Sequence, residues 1–331
     1  MNQKDLYLQL AESIGAEDSM YIPKIFEALV DEKEASVLLA ASPPADLDEI
    51  AARSGLSSKE VEELVDPLFR KGLLFKSRKP EGLRYYRVRH VMQFHDATAV
   101  WPDVPEDVLA LWKEYMDKEW MDYGRRVEGL LPQAISRVIP VNVTVRPNTQ
   151  VLAFDDVNRI VNGARRIAVT RCSCRVIDGK CGKPLEVCIQ VNRAADYAIE
   201  RGTGRQITRV EALEMLRECE EEGLVHIADN RREVGHVICN CCEDCCMNWP
   251  HLRAGLKKIV APSRFAAEVT PGQCTGCELC VEQCCFKAVS MEGQLARVQG
   301  EMCMGCGLCA VVCPTDAIAL KEKRPPEFVP E

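Results

Sequence analysis

The sequence predicts an α+β chain of several domains, and three observations predict it. Helical spacing without a single cysteine fills residues 1–96. Two short apolar strands, each running into Cys-x-Cys, frame a cysteine-rich α/β segment at 148–255. Near the end, C-x2-C-x2-C-x3-C occurs twice within a stretch too short for anything but a small unit wrapped around its own cysteines.

The 331 residues are enough for two or three such domains, and 47% hydrophobic content lets each bury a core. A net charge of −8 argues against general binding to nucleic acid or anionic surfaces. Nineteen cysteines in a secreted chain would suggest disulfides. Met1 to Leu10 has no apolar signal-like core, however, and no window approaches the ~18–20 apolar residues of a membrane span. The expectation is a soluble, cytoplasmic protein of an anaerobe, with its thiols serving as metal ligands.

Residues 1–96 read as a winged helix-turn-helix. Ile22 to Ala41 is expected to be one helix ended by Pro43 and Pro44, and Asp46 to Ser54 a second. Gly55 makes the turn, and Ser57 with Glu60 forms a capping box for a third helix that stops near Gly72. Leu73–Lys76 and Tyr85–Arg89 are expected as the strands of the wing. This order resembles the winged-helix regulators of bacteria and archaea. The third helix carries Glu60, Glu62, Glu63 and Asp66, which repel phosphates, whereas the wing carries Lys76, Arg78, Lys79, Arg84, Arg87 and Arg89. A basic wing beside an acidic helix touches a backbone but reads sequence poorly, so docking or homodimerisation is favoured over DNA binding.

Residues 97–147 read as a helical linker. Pro102 and Pro105 break the chain, Val108 to Leu131 is expected as one helix with Trp112 and Trp120 in its core face, and Pro132, Pro140 and Pro147 punctuate the rest.

In 148–255, Asp155–Gly163, Val187–Ile199 and Val210–Glu222 read as helices. Arg166–Thr170 and Glu233–Ile238 read as strands. If these two strands lie parallel in one sheet, Cys172, Cys174, Cys239 and Cys241 emerge at its carboxyl edge, where α/β sheets hold ligands. Cys181, Cys188, Cys242, Cys245 and Cys246 complete a set of nine thiols, enough for one or two further clusters, with zinc less favoured. Cys219, on a helix face beside Leu216, reads as a small hydrophobe. His226 and His236 flank the second strand and are candidates to tune or ligate a cluster, while His90, His95 and His251 read as structural. Gly202 and Gly204 read as a surface turn, and no nucleotide-binding glycine motif is present. The segment resembles a Cys-rich module with RCSCR and CNCC elements that precedes ferredoxin domains in anaerobic iron–sulfur proteins. That resemblance implies electron transfer and names no substrate. CNCCEDCC is also similar to the paired-cysteine motifs of heterodisulfide reductase catalytic subunits, but it lacks their CCG triplet.

Residues 262–331 form the last domain. Three cysteines at two-residue gaps wrap a loop around three irons of a cubane; the fourth, three residues on, is expected to start a helix and ligate the other cluster. The spacing therefore assigns Cys274, Cys277, Cys280 and Cys313 to one [4Fe–4S] cluster, and Cys303, Cys306, Cys309 and Cys284 to a second. Residues 268–322 resemble a bacterial two-cluster ferredoxin. One departure is Cys285, a spare thiol where the first motif would carry proline.

Together these elements imply an iron–sulfur electron-transfer protein or subunit serving a partner oxidoreductase rather than a stand-alone enzyme. Two alternatives stay open: a redox-responsive winged-helix regulator, and a reductase with its active cluster in 172–246.

Overall fold

The computed structural model describes residues 3–141, 144–145 and 151–331. Pro147, read above as a break, and position 148, read as the start of the module, lie outside the described residues. The chain divides into two compact units, the first comprising Met1–Tyr123 with Ser173–Gly179 and Glu200–Thr203, the second comprising the remainder.

In the first unit, the stretch expected as one helix is two, Ile22–Leu29 and Glu32–Ala40. The reason is local. Val30 is extended, and the Asp31 carboxylate accepts from the Glu34 amide while Glu34 bonds back to the Asp31 amide, so a capping box begins a new helix. Asp46 and Ser57 do the same for Leu47–Ser54 and Ser58–Lys71, and Gly55 and Gly72 end these helices with left-handed backbone. Strands β1 (Leu74–Lys79) and β2 (Gly82–Arg87) follow as an antiparallel hairpin, tighter than expected because pairing runs to Lys79 opposite Gly82. Tyr85 also bridges Ala45.

The basic side chains of this hairpin are engaged within the unit. Lys76 and Arg78 pair with Glu200 at 2.9 and 3.0 Å. Arg84 binds Glu49 and the Pro44 carbonyl, and Arg87 donates to the carbonyls of Ser13 and Val88. Arg89 lies over the Tyr86 ring, and Lys79 faces Glu81.

The helix expected over Val108–Leu131 is also two, Glu106–Lys118 and Trp120–Leu130. Its break is at Glu119, whose carboxylate accepts from the Ser19 hydroxyl and the Met20 amide. Trp112 packs edge-on to Phe94, which stacks on Phe26 at 4.2 Å between ring centroids, and Trp112 donates its indole N–H to Thr98.

Arg201 is 3% exposed and donates to three carbonyls, those of Phe69, Arg70 and Ala97. It thereby closes the end of helix Ser58–Lys71. Arg201→Met keeps the bulk but removes all three bonds, leaving the Phe69 carbonyl with the Gly72 amide, and is expected to cost about 3–5 kcal/mol in denaturant unfolding. A change below ~1 kcal/mol would show that water replaces the guanidinium.

The second unit is built on a seven-stranded sheet. Its strands are β3 (Ser136–Val138), β4 (Ile167–Arg171), β5 (Glu186–Val191), β6 (Gly204–Gln206), β7 (Val225–Asp229), β8 (Val237–Cys241) and β9 (Val260–Ala261), in the order β6-β4-β5-β8-β7-β3-β9. Every neighbouring pair is antiparallel except β3 with β9. The sheet is therefore not the parallel kind suggested by the α/β expectation. The link of residues 230–236 between β7 and β8 is too short for a parallel crossover, which needs about a dozen residues, whereas β4 and β5 pair antiparallel across the longer link 172–185, which holds helix Ser173–Asp178. Even so, β4 and β8 point the same way, because β5 lies between them and opposes both.

β5 corrects the helix expected from Val187. Val187, Ile189 and Val191 alternate with less buried Cys188 and Gln190, the two-residue period of a strand; the helix starts only at Arg193. Gly204, expected in a surface turn, opens edge strand β6, where a Cβ would come within 2.9 Å of the Val169 carbonyl. Helices Val157–Gly163 and Arg209–Glu221 cover one apolar cluster with Ile160, Ile189, Leu216 and Ile238.

The last part of this unit pairs β10 (Phe265–Val269) antiparallel with β13 (Ile318–Glu322). A second hairpin joins β11 (Val289–Glu292) and β12 (Leu295–Val298). Arg264, just before β10, bonds Asp155 at 2.8 Å and Glu322 at 2.7 Å, and Arg137 of β3 faces the same Asp155. Burial pushes the Asp155 carboxyl up against the pull of both arginines, and pulls Arg137 down to about 10.

Candidate metal centres

Cys274, Cys277, Cys280 and Cys313 line one pocket, with Met291 and Ile318 beside them. The first loop folds tightly because Gly276 is left-handed and lies so close to the Gln294 carbonyl that a Cβ would be 2.9 Å from it. Burial raises the Cys280 thiol, and the neighbouring Cys277, Cys274 and Cys313 add to it. Burial also works on Cys313, yet its thiol lies below the ordinary value because the Thr315, Ala317 and Ile318 amides and the Thr315 hydroxyl face its sulfur. The Ala317 amide is 3.3 Å from that sulfur.

The second repeat is arranged similarly. Burial pushes Cys306 up to about 12, and the neighbouring thiols of Cys303 and Cys284 add to it. Burial also pushes Cys309 up, and Cys306, Cys303 and Cys284 act on it more strongly than Cys280 does. Thus Cys284 stands with the second triplet and Cys313 with the first. Amides of Ala267 and Ala288 donate to the sulfurs of Cys303 and Cys284 at 3.4 and 3.3 Å. Such donors suit negatively charged, metal-bound thiolates, so the residues fit the clusters that the spacing implies. One expectation fails: the fourth cysteine does not start a helix. Helix Leu279–Gln283 ends at Cys284, and helix Leu308–Val311 ends before Cys313. Left-handed Glu278 and Gly307 begin each helix inside the triplet, which uses up the turn before the fourth cysteine arrives.

Residues 296–319, which contain Cys303, Cys306, Cys309 and Cys313, match the 4Fe-4S binding domain family. The chain thus carries an iron–sulfur binding segment, and the match supports a general role in electron transfer. No curated protein and no solved structure matches it. Among the described residues no helix is long and apolar enough to cross a membrane.

Gly305 shows how closely this segment is fitted. Its φ is +65°, and a Cβ would lie 2.1 Å from the Phe265 carbonyl and 2.3 Å from the Ser263 hydroxyl. Gly305→Ala is expected to lower the thermal midpoint and the iron retained on gel filtration, since the backbone conformation alone costs about 1–2 kcal/mol. Full iron at an unchanged midpoint would contradict it.

The nine thiols of the middle segment do not form one group. Cys181, Cys242 and Cys245 lie with their sulfurs all within 4.8 Å of one another. Burial, then Cys181 and Cys242, push the Cys245 thiol up to about 12. Cys239, Cys241 and Cys246 form a second group: contacts with Cys239 and then Cys246, followed by burial, hold the Cys241 thiol well above its ordinary value. Cys188 lies in β5, where its sulfur accepts from Gln190 at 3.1 Å. Cys172 follows β4 in the second unit, and Cys174 belongs to the Ser173–Gly179 segment of the first. Cys219 is buried on its helix with Leu216.

His226 sits at neither thiol group's sulfurs. It is buried and bonds Asn240 at 2.6 Å and Glu220 at 3.1 Å. Asn240, which sequence reading passed over, stands between Cys239 and Cys241 and donates to the Val187 carbonyl at 2.6 Å. The pair therefore sets the orientation of the CNC strand. Its signal in the sequence was the polar residue between two cysteines in an apolar strand. His236 takes part through its backbone, its amide donating to Asp229. His251 is fully buried and abuts Gly124. His95 is buried beside Trp112, and His90 caps helix Val91–Ala99.

Cys285, read above as a spare thiol, is half-buried. It packs, with Cys239, Cys241, Cys246 and Cys306, against one apolar cluster formed by Ile227, Trp249, Met304 and their neighbours. Burial raises its thiol, and the neighbouring Cys306, Cys284, Glu243 and Cys246 add to it. Phe286 next to it meets Trp249 edge-on at 5.1 Å, and Trp249 donates to the Cys242 carbonyl at 2.7 Å.

Proposed function

We propose that the chain is an iron–sulfur electron-transfer protein or subunit that binds two [4Fe–4S] clusters on the ferredoxin-type repeats and one further cluster on Cys239, Cys241, Cys246 and Cys285. The clusters, when bound, supply one-electron exchange at low potential. The residues of the chain hold them close together, exclude water from the apolar seam and set the charge around each sulfur. The observation that carries this reading is the shared apolar cluster in which Cys306 of the second repeat, Cys285 and the thiols of Cys239, Cys241 and Cys246 pack together. A cysteine-lined seam from one metal centre to the next is what a multi-centre wire requires. The natural partner in this reading is another redox protein, met by the charged first unit. Its hairpin bases are already spent on Glu200, Glu49 and local carbonyls, which weighs against a regulator that grips phosphates.

Anaerobically purified protein is expected to carry more than eight iron per chain with matching acid-labile sulfide, and Cys285→Ser to bring that number down to eight. A fully loaded preparation holding eight iron before mutation would remove the third cluster and leave the ferredoxin-type pair standing.

A further inference from the structure

The trio Cys181, Cys242 and Cys245 differs from every other thiol group in the chain. Its three sulfurs all lie within 4.8 Å of one another, and among the described residues no other set of His, Cys, Asp or Glu ligand atoms is so tight. The ferredoxin-type triplets, which are spaced for cubanes, do not meet that limit. The difference has a chemical meaning. On a cubane each thiolate binds a separate iron, so the sulfurs are held apart. Around one tetrahedral ion with metal–sulfur bonds near 2.3 Å they converge to roughly 3.8 Å.

Two further features fit a single ion. Cys242 and Cys245 are spaced C-x2-C, the usual pair for tetrahedral zinc, and the Cys245 amide donates to the Cys242 sulfur at 3.4 Å. The Cys242 carbonyl is tied to the Trp249 indole at 2.7 Å, and Cys242 and Cys245 are both buried, so the pair is already held in place. Cys181 arrives from the glycine- and lysine-rich loop between β4 and β5, which has left-handed Gly179 and Gly182 on either side of it.

We infer that Cys181, Cys242 and Cys245 bind one tetrahedral ion of the zinc class, separate from the iron–sulfur clusters. Among the described residues no fourth Cys, His, Asp or Glu ligand atom lies within 4.8 Å of all three sulfurs, so water completes the tetrahedron. The middle segment then serves two ends: Cys239, Cys241 and Cys246 face the ferredoxin-type repeats, while the trio pins the loop that follows β4 onto the loop that follows β8.

The test is metal analysis of the full-length protein, with zinc and iron counted together on anaerobic material. One zinc per chain is expected. Cys245→Ser and Cys181→Ser should each lower it at least tenfold while iron per chain stays as in the parent. Cobalt(II) supplied during expression should occupy the same site, giving thiolate-to-cobalt absorption that both variants lose. A parent with no zinc would overturn the inference even if the variants fail to fold. So would a variant that loses iron in a step of four at unchanged zinc. The outcome is independent of the third-cluster reading, which is decided by iron alone.

Discussion

Cys284→Ser will empty the metal centre built on Cys303, Cys306 and Cys309, twenty or so residues away, and spare the one built on the triplet that immediately precedes it in sequence. Cys284 is among the thiol neighbours of Cys306 and Cys309, whereas those of Cys280 are Cys277, Cys274 and Cys313. Its sulfur already accepts the Ala288 amide, as Cys313 accepts that of Ala317. A serine oxygen is a poor substitute for thiolate toward iron, and alanine at 284 offers no ligand at all, so the two variants should rank in that order. Expected is the loss of one cluster's complement of iron and one of two EPR signals after dithionite reduction. The signal lost should be the same one that Cys306→Ser removes. Loss of the signal that Cys277→Ser removes would reverse the pairing.

Asp155→Ala should cost about 3–5 kcal/mol, the range for removing one partner of a buried ion cluster. Arg264 and Arg137 are each 1% exposed, and Asp155 is fully buried between them. Deleting the carboxylate leaves Arg264 its bonds to Glu322 and the Arg324 carbonyl, and Arg137, among the described residues, its contacts with the Phe154 carbonyl and ring. This cluster joins β3 of the large sheet to the start of β10 and the end of β13, so the loss should appear as a lower thermal midpoint of the whole second unit. Asp155→Ala with Arg264→Met should recover part of the loss, because a neutral pair leaves fewer uncompensated charges. Unchanged unfolding in the single variant would mean that the two arginines are neutralised by other means.

What the sequence determined by itself was local. Cysteines with two or three residues between them on a glycine-bearing loop can do little but curl around a common point, so both repeats were legible as motifs. So was the capping box at Ser57, whose partner Glu60 is three residues away. Composition raised the expectation of metal-binding thiols, which the match of residues 296–319 to the 4Fe-4S binding domain family supports for that segment. Wherever two local signals competed, the reading failed. Asp31 interrupts an apolar run with a cap of its own, and Val187–Val191 satisfies helical and strand spacing equally until β4 and β8 pair on either side of it.

The grouping of the middle thiols was decided only by the tertiary structure. Cys181 meets Cys242 and Cys245 because the loop after β4 and the loop after β8 leave the same edge of the sheet, with β5 opposing both strands. Cys285 acquires its position from the apolar cluster that joins Ile227, Trp249 and Met304, residues from three separate stretches of chain. Arg264 finds Asp155 across 109 residues. No spacing rule reaches that far. The period of a helix or strand is enforced by bonds between near neighbours, whereas the choice of which loops converge is enforced by burial of apolar faces contributed from all along the chain.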